Sequence, residues 1–96
     1  MISPACSSQI WNPANNSNVP GNASWSVEIF KANSAQSCGV GWTTSYYQAG
    51  DWVTIHCVWS NSAGQTWFYI HDNETGRTGW LAGSNVSPGA DNYGKC

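Results

Sequence analysis

The stretch Gly50-Asp51-Trp52-Val53-Thr54-Ile55-His56-Cys57-Val58-Trp59 decides the fold class. Val53, Ile55, Cys57 and Trp59 fall on one face of an extended chain, and Trp52, Thr54 and His56 on the other. That two-residue period predicts a half-buried strand over Trp52–Trp59. Asn61–Gln65 is a turn, and Trp67–His71 is the next strand. Asp72-Asn73-Glu74-Thr75-Gly76 turns the chain again, with glycine supplying the left-handed position such turns need. Arg77–Leu81 returns as the partner strand, and Gly83–Val86 has room for a single 3₁₀ turn.

Upstream the signals thin out. Ser26–Phe30 alternates well enough for a strand, and the polar run Lys31–Ser37 reads as a long loop. Tyr46 and Tyr47 lie in a short extended run ended by Ala49-Gly50. Residues 1–24 carry Pro4, Pro13, Pro20 and an Asn-rich stretch, and read as an irregular arm. No segment has the period of a helix of ten or more residues. About five short strands at this spacing predict a small all-β barrel over residues 25–87, followed by a tail over 88–96.

Composition narrows the function. The 96 residues are only 8% charged, against roughly 25% in ordinary globular chains. Lys31, Arg77 and Lys95 face five carboxylates, for a net charge of −2. No basic patch exists to neutralise phosphates, so nucleic acid is not an expected partner. An anionic membrane surface finds no lysine cluster, and no apolar run approaches the ~20 residues of a spanning helix.

Cys6, Cys38, Cys57 and Cys96 make an even set with no close pair of the kind zinc sites use, so they read as two disulfides. Three connectivities are open. The favoured one joins Cys6 to Cys96 as a clasp of the termini. Cys38–Cys57 then closes a loop of about 20 residues, worth about 3 kcal/mol in the chain-entropy model. Two disulfides point to a secreted, extracellular chain. Met1-Ile2-Ser3-Pro4 shows no signal peptide, which fits a mature chain with an added start methionine. Asn15, Asn22, Asn73 and Asn85 begin glycosylation sequons, but carry little weight in a chain so rich in Asn, Ser and Thr.

Catalytic signals are weak. His56 reads as a surface or edge imidazole, and His71 as the polar head of a turn. No G-x-S-x-G elbow occurs. Asp72 and Glu74, read as lying in one exposed turn, cannot flank a sugar from two sides, and they lack the spacing of a calcium loop. Gly39-Val40-Gly41 lacks the third glycine and the helix of a phosphate-binding fingerprint. The chain is therefore expected to be non-catalytic, without metal or cofactor. Seven tryptophans, four tyrosines and two phenylalanines are more rings than a small barrel holds inside, so several are expected at the surface as a stacking groove.

Gly50–Cys57, the run Trp67-Phe68-Tyr69-Ile70 and the hairpin Gly76-Arg77-Thr78-Gly79-Trp80-Leu81 together resemble a bacterial SH3 (SH3b) domain of the small secreted actinobacterial type. The resemblance covers residues 26–87 and is closest over the last 38 of them. It implies a module that binds cell-wall peptidoglycan or related peptides in an aromatic cleft. Trp67 takes the place of the Trp that lines the cleft, with Trp42, Tyr46, Trp59 and Tyr69 as further ligand-binding candidates. The resemblance gives Trp80 a structural role. Two other functions are compatible with the residues: a secreted inhibitor or antimicrobial effector acting on another protein, and a carbohydrate-binding module using exposed tryptophans. A monomer is expected in each case.

Overall fold

A computed structural model describes residues 17–34, 36–44, 50–60, 62–88 and 94–96. Seven strands are present: β1 (Val19–Ala23), β2 (Glu28–Phe30), β3 (Gly39–Trp42), β4 (Trp52–Ser60), β5 (Thr66–Asp72), β6 (Thr78–Ala82) and β7 (Val86–Pro88). They form one antiparallel sheet in the order β3-β2-β6-β5-β4-β1-β7. The three strands of the best-patterned region, β4, β5 and β6, pair in sequence as consecutive hairpins. A 3₁₀ turn at Gly83–Asn85 then carries the chain from β6 to β7.

One buried cluster joins Val19 and Ala23 of β1, Ile29 of β2, Val53 and Ile55 of β4, Phe68 and Ile70 of β5, Leu81 of β6 and Val86 of β7. Strands far apart in the order share this core, so the sheet curls around it. Each fully buried aliphatic chain contributes about 1.5–3 kcal/mol by leaving water. The curl is not completed. Among the described residues no ladder joins β3 to β7, so the expected five-strand barrel is instead an open seven-strand sheet. The two edge strands are short, at four and three residues, and β7 ends in Pro88, which cannot donate to a ladder.

One strand lies where an irregular arm was expected, and another where no strand was expected. Residues 19–23 belong to β1, which pairs with both β4 and β7. Pro20 is tolerated there because it stands beyond the last β1–β7 pair. Gly39–Trp42 forms β3 against β2, although its Gly-Val-Gly-Trp sequence has no apolar alternation. Residues 1–16 of the arm and the Tyr46–Tyr47 run lie outside the described residues. Gly50 has a specific steric cause: a Cβ there would stand 1.5 Å from the Ala23 carbonyl oxygen. Gly79 is similar, since its Cβ would meet the Phe30 carbonyl oxygen at 2.6 Å where β2 crosses β6.

The main correction to the sequence reading lies inside β4. Ile55 pairs with Ile70 and Cys57 with Tyr69, leaving His56 as the extra residue of a β-bulge. The bulge reverses the phase of the strand. Val53 and Ile55 face the core before it, and Val58, opposite Phe68, packs on the core after it. Cys57 and Trp59 therefore stand on the opposite face from Val53 and Ile55, not on the same one.

That reversal decides a disulfide. Cys57, buried on the outer face, bonds to Cys96 with a Cα–Cα distance of 4.9 Å, inside the usual range. Residues 94–96 lie along the strand, where Val58 N donates to Gly94 O at 2.9 Å and Cys96 N to Val58 O at 2.9 Å. The expected Cys38–Cys57 and Cys6–Cys96 pairing is thus replaced by Cys57–Cys96. Cys38 is also disulfide-bonded, and Cys6 lies outside the described residues.

Candidate functional site

The outer face of the sheet carries a second, aromatic layer. Trp59 on β4 stands directly opposite Trp67 on β5, and Tyr69 opposite Trp80 on β6. Phe30 meets Trp67 edge-on at 5.8 Å between ring centroids, Tyr69 meets Trp80 at 5.1 Å, and His56 lies 6.0 Å from Tyr69. The layer is tightly covered: Trp80 is 0% and Trp67 2% exposed. The Trp67 indole nitrogen and the His56 Nδ1 are buried without a hydrogen-bond partner. Burial holds the His56 imidazole below its ordinary value and pushes the Tyr69 phenol up. His71 Nδ1 shares a 2.7 Å hydrogen bond with the Thr78 hydroxyl.

Beside this layer is a cavity of about 710 Å³, bounded by Phe30, Trp67, Phe68, the 3₁₀ turn, Val86 and Pro88. Its rim offers Gln65, Thr66, Ser84 and Asn85. A volume of this order is that of small-molecule and peptide side-chain sites. The wall is mostly apolar, and the polar groups sit at the mouth.

Of the sequence-predicted ligand residues, β4 and β5 bring Trp59, Trp67 and Tyr69 to one face. Trp67 lines the cavity, but its ring is almost wholly covered. Tyr69 is half-buried against Trp80, and Trp59 is 36% exposed. Trp42 is on edge strand β3, separated from β5 by β2 and β6. Tyr46 lies outside the described residues. Phe30 and the 3₁₀ turn are wall elements the sequence did not single out.

A different group of rings is exposed. Trp25, Trp42 and Trp52 are 51%, 54% and 59% exposed. Each adjoins a hydrogen-bonded junction of three segments. Thr43 N donates to Val27 O at 2.8 Å, the Thr43 hydroxyl to Ser24 O at 3.2 Å, and Ala23 N to Asp51 O at 2.9 Å. Ser26, next to Trp25, holds a left-handed φ of 54°, an uncommon conformation for a residue with a side chain.

At the centre of the junction are two carboxyls, Asp51 and Asp72, 1% and 0% exposed. Reading Asp72 as part of an exposed turn was therefore incorrect; the turn is exposed at Glu74 but Asp72 points inward. The two carboxyls hydrogen-bond to each other. Asp51 also accepts from the Thr44 amide at 3.0 Å and from the Thr44 hydroxyl. Asp72 accepts from the Glu74 amide at 3.1 Å and the Thr75 hydroxyl at 2.9 Å. Burial pushes Asp51 up, but the bonds to Asp72, Thr44 and Glu74 outweigh it and hold the carboxyl below its ordinary value. Burial and the bond to Asp51 together push Asp72 up. Both carboxyls are thus covered by the fold and held by its amide and hydroxyl donors. Among the described residues, no group of three or more His, Cys, Asp or Glu is placed to hold a metal ion.

Comparison with known proteins identifies no relative: no family model, curated protein or solved structure matches the chain.

Proposed function

We propose that this chain is a secreted, non-catalytic binding module of SH3b type that takes a cell-wall peptide or glycopeptide segment in the cavity beside Trp67. The cavity carries the reading: an apolar pocket of about 710 Å³ with polar groups confined to its mouth suits an extended ligand with apolar side chains and a polar backbone. The SH3b resemblance is supported by its own residues, since Gly50–Cys57, Trp67–Ile70 and Gly76–Leu81 fall on or beside the successive strands β4, β5 and β6. The Cys57–Cys96 bond supports an oxidising compartment. On this reading the module acts as a monomer and needs no cofactor.

The test is co-sedimentation with insoluble peptidoglycan. Ser84, exposed on the rim, can be enlarged without disturbing the core. The wild type should pellet with the wall, and Ser84→Trp should stay in the supernatant while keeping the wild-type circular dichroism. Equal retention of both proteins would remove the cavity from the account. If neither pellets, wall binding is wrong and an inhibitor of another secreted protein becomes the better reading.

A further inference from the structure

The cavity leaves the most exposed tryptophans among the described residues unused. Trp25, Trp42 and Trp52 are each about half exposed, whereas single exposed apolar residues are ordinary and a group around one junction is not. They contribute little to the core, and their backbones are nevertheless held. Trp52 N donates to Glu74 Oε2 at 2.7 Å, and Trp42 O accepts from Arg77 Nη1 at 3.3 Å. Trp25 sits between Ser24, whose amide donates to Asn85 O at 2.7 Å, and Ser26, whose amide donates to Thr44 O at 3.4 Å. Beneath them Thr43, Asp51 and Asp72 are buried, so the rings project from a fixed base.

We propose that Trp25, Trp42 and Trp52 form a second binding surface, separate from the Trp67 cavity, for a neutral glycan. The occupant follows from the groups between the rings. Ser24, Ser26, Thr44 and Asn73 are exposed and uncharged, the exposed charges Glu74 and Arg77 are of opposite sign, and half-buried Glu28, opposite Trp42, adds one further carboxylate. Neither Lys31 nor Lys95 belongs to these segments, so an anionic lipid surface or a polyphosphate finds no net attraction. A sugar ring offers a flat C–H face to an indole and hydroxyls that donate to Glu74 and accept from Arg77 and the serines. Three exposed rings and a hydroxylated rim suit an uncharged polyol chain.

The experiment titrates the protein's tryptophan fluorescence with chitotetraose, cellotetraose and laminaritetraose. Phosphatidylglycerol vesicles and sedimentation velocity serve as parallel arms. Saturable binding of at least one tetrasaccharide is expected. Trp42→Ala and Trp52→Ala should each weaken it roughly three- to ten-fold, and the triple Trp25→Ala, Trp42→Ala, Trp52→Ala protein should lose it. Ser84→Trp should bind the sugar as the wild type does, which separates this surface from the cavity whichever way the wall assay falls. The proposal is overturned if no tetrasaccharide binds saturably, if the triple variant binds as before, or if Ser84→Trp abolishes binding. It is equally overturned if the triple substitution instead abolishes vesicle binding or self-association.

Discussion

Trp67 and Trp80 are covered on every side, while Trp25, Trp42 and Trp52 stand half in water. The residue type is the same. Strand position separates them. Trp67 and Trp80 occupy the middle strands of the sheet, β5 and β6, where neighbours on both sides supply Phe30, Tyr69 and Trp59 to close over them. The exposed three sit where strands begin or end, in the β1–β2 turn, at the last residue of β3 and at the first residue of β4. An indole in mid-sheet becomes structure; one at a strand end becomes surface. The two sets should therefore respond to substitution in opposite ways.

Trp80→Ala should produce the largest effect, a loss of about 3–5 kcal/mol of unfolding free energy, because a fully buried ring leaves a cavity. Urea denaturation measures it, and a loss below 1 kcal/mol would dissolve the distinction between the two sets. Replacing Cys57 and Cys96 together by Ser should cost nearly as much, about 4 kcal/mol in the chain-entropy model for a separation of 39 residues. The melting temperature of the double variant should match that of the wild type with this bond reduced.

The junction under the exposed rings should show an unusual pH profile. Asp72, raised in the fold, contributes stability that is complete below the ordinary value of 3.8 and is lost as pH rises through its folded value. Asp51, lowered in the fold, contributes stability above 3.8 that is lost as pH falls through its folded value. The contribution of the pair should thus be greatest near pH 3.8 and decline as pH rises through the folded value of Asp72. Asp72→Asn, which cannot ionise, should flatten that decline; thermal melts from pH 3 to pH 8 would show whether it does. The smallest effect belongs to the exposed set. Trp25→Ala, Trp42→Ala and Trp52→Ala should each change stability by less than about 0.5 kcal/mol, so that any loss of ligand binding is a loss of contacts.

The legible part of the fold was the succession of strands and turns from β4 through the 3₁₀ turn, because alternation and turn residues agree there except at the His56 bulge. β3 was not legible, since Gly39-Val40-Gly41-Trp42 has no apolar period and becomes a strand only against β2. The phase change at His56 was hidden for a different reason. Cys57 and Val58 are both plausible core residues, and only the bond to Cys96 and the pairing with Tyr69 and Phe68 select between them. Asp51 and Asp72 were likewise invisible as a pair, because the Val53–Asp72 register that brings them together exists only once the hairpin forms. Within the candidate site, the resemblance pointed to Trp67 beside the cavity. Alternation placed Trp52 on the non-core face, while Trp25 carried no signal at all.

The extra residue in β4 is a spacer, because the pairs on either side of it are consecutive on β5 and would close without it. Deleting His56 would leave Ile55 opposite Ile70 and Cys57 opposite Tyr69, so the alternation would run unbroken, Val58 would stay on the core and Cys57 would still meet Cys96. What the outer aromatic layer and its crosslink cannot survive is a pairing that takes His56 into the ladder, which would turn Cys57 to the aliphatic core and Val58 to the ring layer.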